Sequence, residues 1–189
     1  MHRNGFKTQA GFTLVEIVVG LVVLGAALVL LTTALFPQAG RSAEPVLQMR
    51  AAELGQAFMN EISSKPFNRN SDRFGGFERC DEQDADPCNR DFGQPTGTSR
   101  ADFTAVEDFH GYTYDPNDPA TSLENALGDD ISDLYRNFTV AIDVCASDAQ
   151  GDCFADPNDA DPLLFKRVLV TITTPQGQAI EFATIRGNY

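Results

Sequence analysis

The chain has 189 residues, 42% of them hydrophobic, and carries a formal net charge of −13. Its length suits one domain with an appendage. Nucleic-acid binding depends on Lys and Arg neutralising phosphates, so the acidic balance argues against DNA or RNA as a partner. The only histidines are His2 and His110, which excludes a multi-histidine metal centre.

The apolar segment 12–36 follows residues 1–11, which carry two basic residues and no acid. As a helix it spans ~37 Å, enough to cross a hydrocarbon layer ~30 Å thick. The positive-inside rule places its N-terminus in the cytoplasm and the rest of the chain outside. One alternative is a buried core helix, but so long an apolar run is unusual in a small soluble domain. The other is a secretory signal peptide, but its apolar core is shorter than this segment and ends at a small-x-small cleavage site, which is not evident here.

Glu16 is the single charged residue of this apolar segment. An ionised carboxylate inside hydrocarbon costs on the order of a few kcal/mol, so an intramembrane acid is a candidate functional residue. Its position near the start of the segment also allows the side chain to reach the headgroup region. That placement does not exclude a partner for the carboxylate.

The run Gly11-Phe12-Thr13-Leu14-Val15-Glu16 lies between a basic leader and an apolar helix, and it resembles the processing site of type IV prepilins. The resemblance implies that a prepilin peptidase cuts between Gly11 and Phe12 and methylates Phe12. It also implies that Glu16 pairs with the new α-amine of a neighbouring subunit during assembly. The implied partners are the membrane, the inner-membrane assembly platform, and other major and minor pilins.

The same resemblance implies a location. The protein would be a single-pass inner-membrane protein with a cytoplasmic N-terminus and a periplasmic C-terminal domain. It would then move into a pilus at the cell surface, where such filaments serve adhesion.

Residues 37–65 are predicted to form a second, amphipathic helix after a boundary at Pro37. Its apolar positions recur at spacings of four, three, four and four. They are Leu47, Ala51, Leu54, Phe58 and Ile62. Ser42 is a plausible N-cap, and Lys65-Pro66 ends the helix.

Residues 66–189 are predicted to form the globular domain. Alternating apolar residues in 138–144, 168–172 and 180–184 predict antiparallel strands, with a hairpin turn at 174–177. Residues 66–130 are predicted mainly as loop, with a short helix at 102–109. The fold class is therefore α+β, a long N-terminal helix packed on a small C-terminal antiparallel sheet, as in pilins.

Four scattered blocks narrow the resemblance. They are 41–45 (RSAEP), 64–67 (SKPF), 106–111 (VEDFHG) and 186–189 (RGNY). These blocks resemble the D-type minor pilins of mannose-sensitive haemagglutinin pili.

Four cysteines, an even number, indicate disulfides in a chain that faces the periplasm. They are Cys80, Cys88, Cys145 and Cys153. Four cysteines allow three disulfide connectivities. We favour the one with two local bonds, Cys80–Cys88 and Cys145–Cys153, because each bond closes a small acidic loop. The chain after the second loop is rich in oxygen ligands that suit calcium. The calcium candidates are Asp156, Asn158, Asp159 and Asp161, although no run matches an EF-hand and a solvated acidic loop is the alternative.

No catalytic motif is recognised, so we expect no enzyme and no cofactor. Glu107 and Asp108 precede His110 and could form an acid–base cluster, but we interpret His110 as a surface histidine in a loop. The predicted function is that of a minor type IV pilin. The alternatives are a minor pseudopilin of a type II secretion system and a membrane-anchored periplasmic binding domain that holds calcium.

Overall fold

In the computed structural model the described residues are 11–41, 44–71, 79–83, 85–93 and 99–188, with backbone alone for 34–41. The chain divides into two compact units at Pro45 and Val46. We call the second of these, Val46–Tyr189, the C-terminal unit.

The first helix, α1, extends over Leu14–Arg41. Its part Leu14–Thr33 is long and apolar enough to cross a membrane, at ~30 Å, and its side chains are exposed throughout. The helix continues through Pro37, so the boundary predicted at Pro37 is displaced toward the C-terminus. A proline removes one N–H donor from a helix, but its fixed φ remains helical, so the backbone need not end there. The predicted N-cap, Ser42, lies outside the described residues.

The second helix, α2, extends over Glu44–Ser64. It ends immediately before Lys65-Pro66, as predicted. The predicted apolar face is confirmed, because Ala51, Leu54, Phe58 and Ile62 are buried and Leu47 packs against the same core.

Four antiparallel strands form one sheet in the order β1-β2-β3-β4. Their bounds are Thr113–Tyr114 for β1, Thr139–Ser147 for β2, Phe165–Thr173 for β3 and Ala179–Gly187 for β4. The alternation that predicted the three long strands is confirmed, and the α+β class with it. The two-residue strand β1 was not predicted, because two residues are too few to show a period.

The core lies between α2 and one face of the sheet. Even-numbered residues of β2 and β3, such as Val140 and Val170, point into it beside Leu54 and Phe58 of α2. The helix approaches β4 closely at Gly55, where an added Cβ would come within 2.2 Å of the Phe182 ring. A glycine is therefore required there by space and not by backbone conformation.

The turn between β3 and β4 is confirmed at 174–177. The Gly177 N–H donates to the Thr174 carbonyl over 2.8 Å, and the Thr174 N–H donates to the Gln178 carbonyl over 2.9 Å. Gly177 has a φ of +82°, a conformation that glycine adopts without strain.

The single helix predicted at 102–109 is wrong in detail. The structure has two short 3₁₀ turns there, Arg100–Asp102 and Val106–Phe109. The Asp108 carboxylate accepts the N–H groups of Thr104 and Ala105. The backbones of Phe103 (ψ 126°) and Ala105 (ψ 167°) are extended and interrupt a helix, and the Asp108 carboxylate caps the second turn, which begins at Val106.

Candidate functional site

The segment that resembles a prepilin processing site begins in non-helical backbone just before α1. Gly11, Phe12 and Thr13 are not helical, and the helix begins at Leu14. The Thr13 carbonyl accepts the N–H groups of Glu16 (3.1 Å) and Ile17 (3.3 Å), and Thr13 Oγ1 also accepts the Glu16 N–H at 3.3 Å. Thr13 is therefore the N-cap of α1.

Sequence reasoning missed this role of Thr13, although a signal for it was present. A Thr followed three residues later by a Glu, just before an apolar run, is the sequence signature of a capping box. The structure shows the half of the box in which the threonine hydroxyl accepts the backbone N–H of Glu16.

Gly11 and Phe12 have no packing role within the described chain. A Cβ built on Gly11 would meet nothing within 4 Å, and Gly11 does not have a positive φ. Phe12 is 80% exposed. A substitution at either position therefore tests recognition by another molecule and not the fold of this chain.

Glu16 lies in the first turn of α1 and is exposed. Within the part of the chain that the structure describes, its carboxylate makes neither a hydrogen bond nor an ion pair, and only its backbone N–H is engaged. The positive end of the helix dipole favours an acid in the first turn. The carboxylate is thus free to pair with a cation from outside.

The two threonines at the other end of the apolar stretch satisfy their hydroxyl groups within the helix. Thr32 Oγ1 donates to the carbonyls of Leu28 and Val29, and Thr33 Oγ1 donates to that of Leu30. Hydroxyls bonded in this way do not require water, so the stretch remains compatible with hydrocarbon.

The C-terminal unit contains a buried ion pair that the sequence analysis missed. Lys166 Nζ lies 2.8 Å from Glu107 Oε2, and both side chains are 0% exposed. Nζ also donates to the Phe67 carbonyl at 2.6 Å and lies over the Phe67 and Phe92 rings. Burial lowers the pKa of Lys166 to about 8, although the Glu107 carboxylate opposes this shift.

Two further buried carboxylates pair with arginines in the same unit. Asp108 binds Arg69, and Glu61 of α2 binds Arg100, whose guanidinium lies 4.0 Å from the centre of the Phe58 ring. Glu61 follows Phe58 by three residues on the apolar face of α2, so its position already indicated burial. Lys166 likewise shares the face of the inward residues of β3.

These pairs separate the acids from His110, so the three residues do not form an acid–base cluster. Glu107 and Asp108 point inward to Lys166 and Arg69, whereas His110 is partly exposed. His110 Nδ1 accepts the Val144 N–H at 3.3 Å and lies 3.2 Å from Asp143 Oδ1.

The structure has two disulfides, Cys80–Cys88 and Cys145–Cys153, which are the two local pairings. The first is buried and is held by its neighbours. Asp81 accepts the N–H groups of Cys88 and Leu163 and pairs with Arg90 at 2.7 Å. Burial alone would raise the pKa of Asp81, but these donors together lower it below its ordinary value.

The end of β4 is fastened to this first disulfide. The Asn188 Nδ2 group donates to the carbonyl oxygens of Cys80 (2.9 Å) and Leu163 (3.3 Å), and Asn188 is itself buried. The Cys80–Cys88 loop, the segment at Leu163 just before β3 and the residue Asn188 after β4 are therefore joined by hydrogen bonds.

In the second disulfide loop, one of the two acids, Asp148, stabilises a turn. Asp148 Oδ1 accepts the N–H groups of Gln150 and Asp152, each at 2.9 Å. Cys153 pairs with Ser147 as an isolated bridge beside β2. The carboxylate is thus occupied by backbone donors.

The four calcium candidates do not converge on one point. Asp156 Oδ1 accepts both the backbone N–H and the side-chain Nδ2 of Asn158, each at 2.8 Å, in a short turn that also contains Asp159. Asp161 instead lies 3.8 Å from Arg90. Across the described ranges, no group of three or more His, Cys, Asp or Glu residues is placed to hold a metal ion.

Residues 6–32 match the family model of the prokaryotic N-terminal methylation motif. The matched range includes Gly11, Phe12 and Glu16, and the motif indicates a prepilin of the type IV pilin or pseudopilin kind. Together with the exposed apolar helix it indicates a membrane-anchored protein. The motif implies processing by a prepilin peptidase and assembly with other pilins and the membrane machinery. No curated protein and no solved structure matches the chain.

Proposed function

We propose that this protein is a minor type IV pilin, a structural subunit that is cleaved after Gly11, methylated at Phe12 and taken into a surface filament, and that it has no enzymatic activity. The observation that carries the proposal is the methylation motif at residues 6–32, which runs into a helix whose apolar side chains are exposed. The Glu16 carboxylate, which has no partner within the described residues, supports the assembly role.

In this proposal Glu16 sets the register between subunits. Cleavage creates a positive α-amine at Phe12, four residues before the Glu16 carboxylate of the same helix. When apolar helices stack out of water, a Glu16 carboxylate of one subunit and the amine of its neighbour neutralise each other. A shifted neighbour would leave both charges unpaired in a medium of low dielectric constant, which is strongly unfavourable.

The C-terminal unit is proposed to be the periplasmic and later surface-exposed part. Its two disulfides fit an oxidising compartment. The short sequence blocks at 41–45, 64–67, 106–111 and 186–189 favour a D-type minor pilin of mannose-sensitive haemagglutinin pili over other minor pilins.

Mass analysis of the protein recovered from its host tests the processing. We expect a chain that begins at Phe12 and carries one added methyl group. Recovery of the uncut chain alone, beginning at Met1, would overturn the proposal.

A second experiment separates the pilus from a secretion pseudopilus, because the motif fits both. Filaments sheared from the cell surface are probed with an antibody against the C-terminal unit. We expect the protein in the sheared fraction. Its absence there, combined with loss of protein secretion in a deletion strain, would assign it to a secretion system instead.

A further inference from the structure

The geometry around Gly11 leaves the bond that is cleaved outside the helix. Within the described residues, the carbonyl groups of Gly11 and Phe12 accept no backbone N–H, and the first carbonyl used by α1 is that of Thr13. Had the helix begun two residues earlier, the Gly11 carbonyl would accept the Val15 N–H. A hydrolytic enzyme would then meet a carbonyl that is already bonded and a peptide that is coiled.

Two features stop α1 from extending toward the leader. Gly11 is a poor helix former, because glycine loses more backbone freedom in a helix than alanine does. Thr13 is the N-cap, with its hydroxyl oxygen 3.3 Å from the Glu16 nitrogen. Because Gln9 and Ala10 upstream are good helix formers, the cap is the device that sets the boundary on the mature side of the cut.

We infer that Thr13 is a positioning residue for prepilin cleavage, because its side chain starts the helix at Leu14 and so keeps the Gly11–Phe12 peptide bond outside the helix, two residues before its first residue. This inference rests on the proposed function. Hydrolysis breaks the bond between the Gly11 carbonyl carbon and the Phe12 nitrogen. Water supplies the hydroxyl group of the new Gly11 carboxyl group and a proton to the Phe12 amine. Thr13 takes no part in that exchange of atoms.

The test compares three variants of the full chain, reconstituted in phospholipid vesicles with a prepilin peptidase. Thr13→Val keeps the shape of the side chain and removes the cap acceptor. Thr13→Ser keeps the hydroxyl group, and Thr13→Asn keeps a strong cap without a hydroxyl group. The rate of loss of residues 1–11 is followed by mass, with kcat and KM determined separately.

We expect cleavage of the Thr13→Val chain to slow about fivefold, which corresponds to a cap of ~1 kcal/mol. Thr13→Ser and Thr13→Asn should stay within about twofold of wild type. Wild-type cleavage of Thr13→Val would overturn the inference. So would a Thr13→Asn chain as slow as Thr13→Val, because the peptidase would then be reading the hydroxyl group itself.

A second measurement does not depend on the peptidase. Hydrogen exchange at the Glu16 amide of the same vesicle-bound chains should accelerate about fivefold in Thr13→Val and remain near wild type in Thr13→Asn. Equal exchange in all chains would overturn the inference while leaving the proposed function standing. Failure of the wild-type chain to be cut at all, with exchange as expected, would instead overturn the proposed function.

Discussion

The helix α1 and the strands of the C-terminal unit are both rich in Val, Ile and Leu, but they differ in where these side chains lie. From Leu14 to Thr33 they are exposed on every side of α1. In β2 and β3 they alternate with polar residues, and the apolar ones are buried against α2. The C-terminal unit therefore buries most of its apolar side chains in its own core. The apolar side chains of α1 can be removed from water only by lipid or by neighbouring helices.

Charge is handled in opposite ways in the two regions. The one acid of the apolar stretch, Glu16, is unpaired within the described chain. The buried acids Glu61, Glu107 and Asp108 each face a cation. The three buried acids have their counter-charges in the same chain, whereas in the proposed function Glu16 would receive its counter-charge from a neighbouring subunit.

The largest effect is expected at Gly11. Replacing Gly11 by Leu should abolish processing without harming the fold, because no atom lies within 4 Å of a Cβ at that position. The mass of the protein from cells should then be that of the uncut chain. Gly20→Leu is the matched control, since Gly20 has equally open surroundings, and it should be processed normally. Normal trimming of the Gly11→Leu chain would contradict the predicted cut.

Removing the lone acid of α1 is expected to act next most strongly. Glu16→Val should leave membrane insertion intact, because it makes the helix more apolar, and should reduce incorporation into sheared filaments to a small fraction of wild type. Glu16→Asp keeps the charge and should retain more incorporation than Glu16→Val. A filament content equal to wild type in Glu16→Val would count against charge pairing.

Within the C-terminal unit, the buried pair should be the most sensitive point. Lys166→Met leaves Glu107 buried without its cation, and we expect a loss of ~3–5 kcal/mol in the free energy of unfolding, measured with denaturant. The matched control is Arg136→Met, which breaks the exposed pair with Asp133 and should cost less than about 1 kcal/mol. Equal losses in the two variants would show that burial is not what makes the pair important.

The two disulfides close loops of equal length, so comparing them isolates the effect of their surroundings. Replacing Cys80 and Cys88 by Ser removes ~2–3 kcal/mol of loop-closure entropy and also loosens the Asn188 contact. The same change at Cys145 and Cys153 removes the same loop-closure contribution but does not affect the Asn188 contact. We expect the first double variant to have the lower Tm, and the reverse order would contradict the proposed anchoring.

The smallest effect concerns acid stability at Asp81. Its folded pKa is lowered, so its contribution is fully present above its ordinary pKa of 3.8 and is lost as the pH falls through the lower folded value. Asp81→Asn should therefore lower stability at neutral pH and make the loss of stability below about pH 4 shallower. Asp91→Asn, at an exposed acid next to Arg90, is the control variant. An unchanged profile in Asp81→Asn would refute the assignment.

Much of the fold was predictable because its signals are local. The spacing from Leu47 to Ile62 predicted α2, and the alternation around Val170 predicted β3. The break placed at Pro37 was wrong, because a proline only weakens a helix and does not end it by itself. The helix predicted at 102–109 was wrong in detail because Phe103 and Ala105 have extended backbones, which divide the segment into two short turns.

For the candidate site, the methylation motif that includes Gly11 to Glu16 was readable in the sequence because its residues are consecutive. The capping signal at Thr13 was equally local and was overlooked. The ion pairs were not predictable as pairs, since Glu107 and Lys166 are far apart along the chain.

The order of the residues alone thus determined where the methylation motif lies, which segment is apolar enough for a membrane, and where the helix α2 and the three long strands lie. Periodicity and consecutive motifs act over a few residues and need no knowledge of distant neighbours. Only the tertiary structure decided that Glu61, Glu107 and Asp108 are buried beside cations, that Asn188 is fastened to the first disulfide, and that the calcium candidates stay apart. The physical reason is that the contribution of a charged side chain to stability depends on its burial and on its partner. Both are set by contacts between residues distant in sequence.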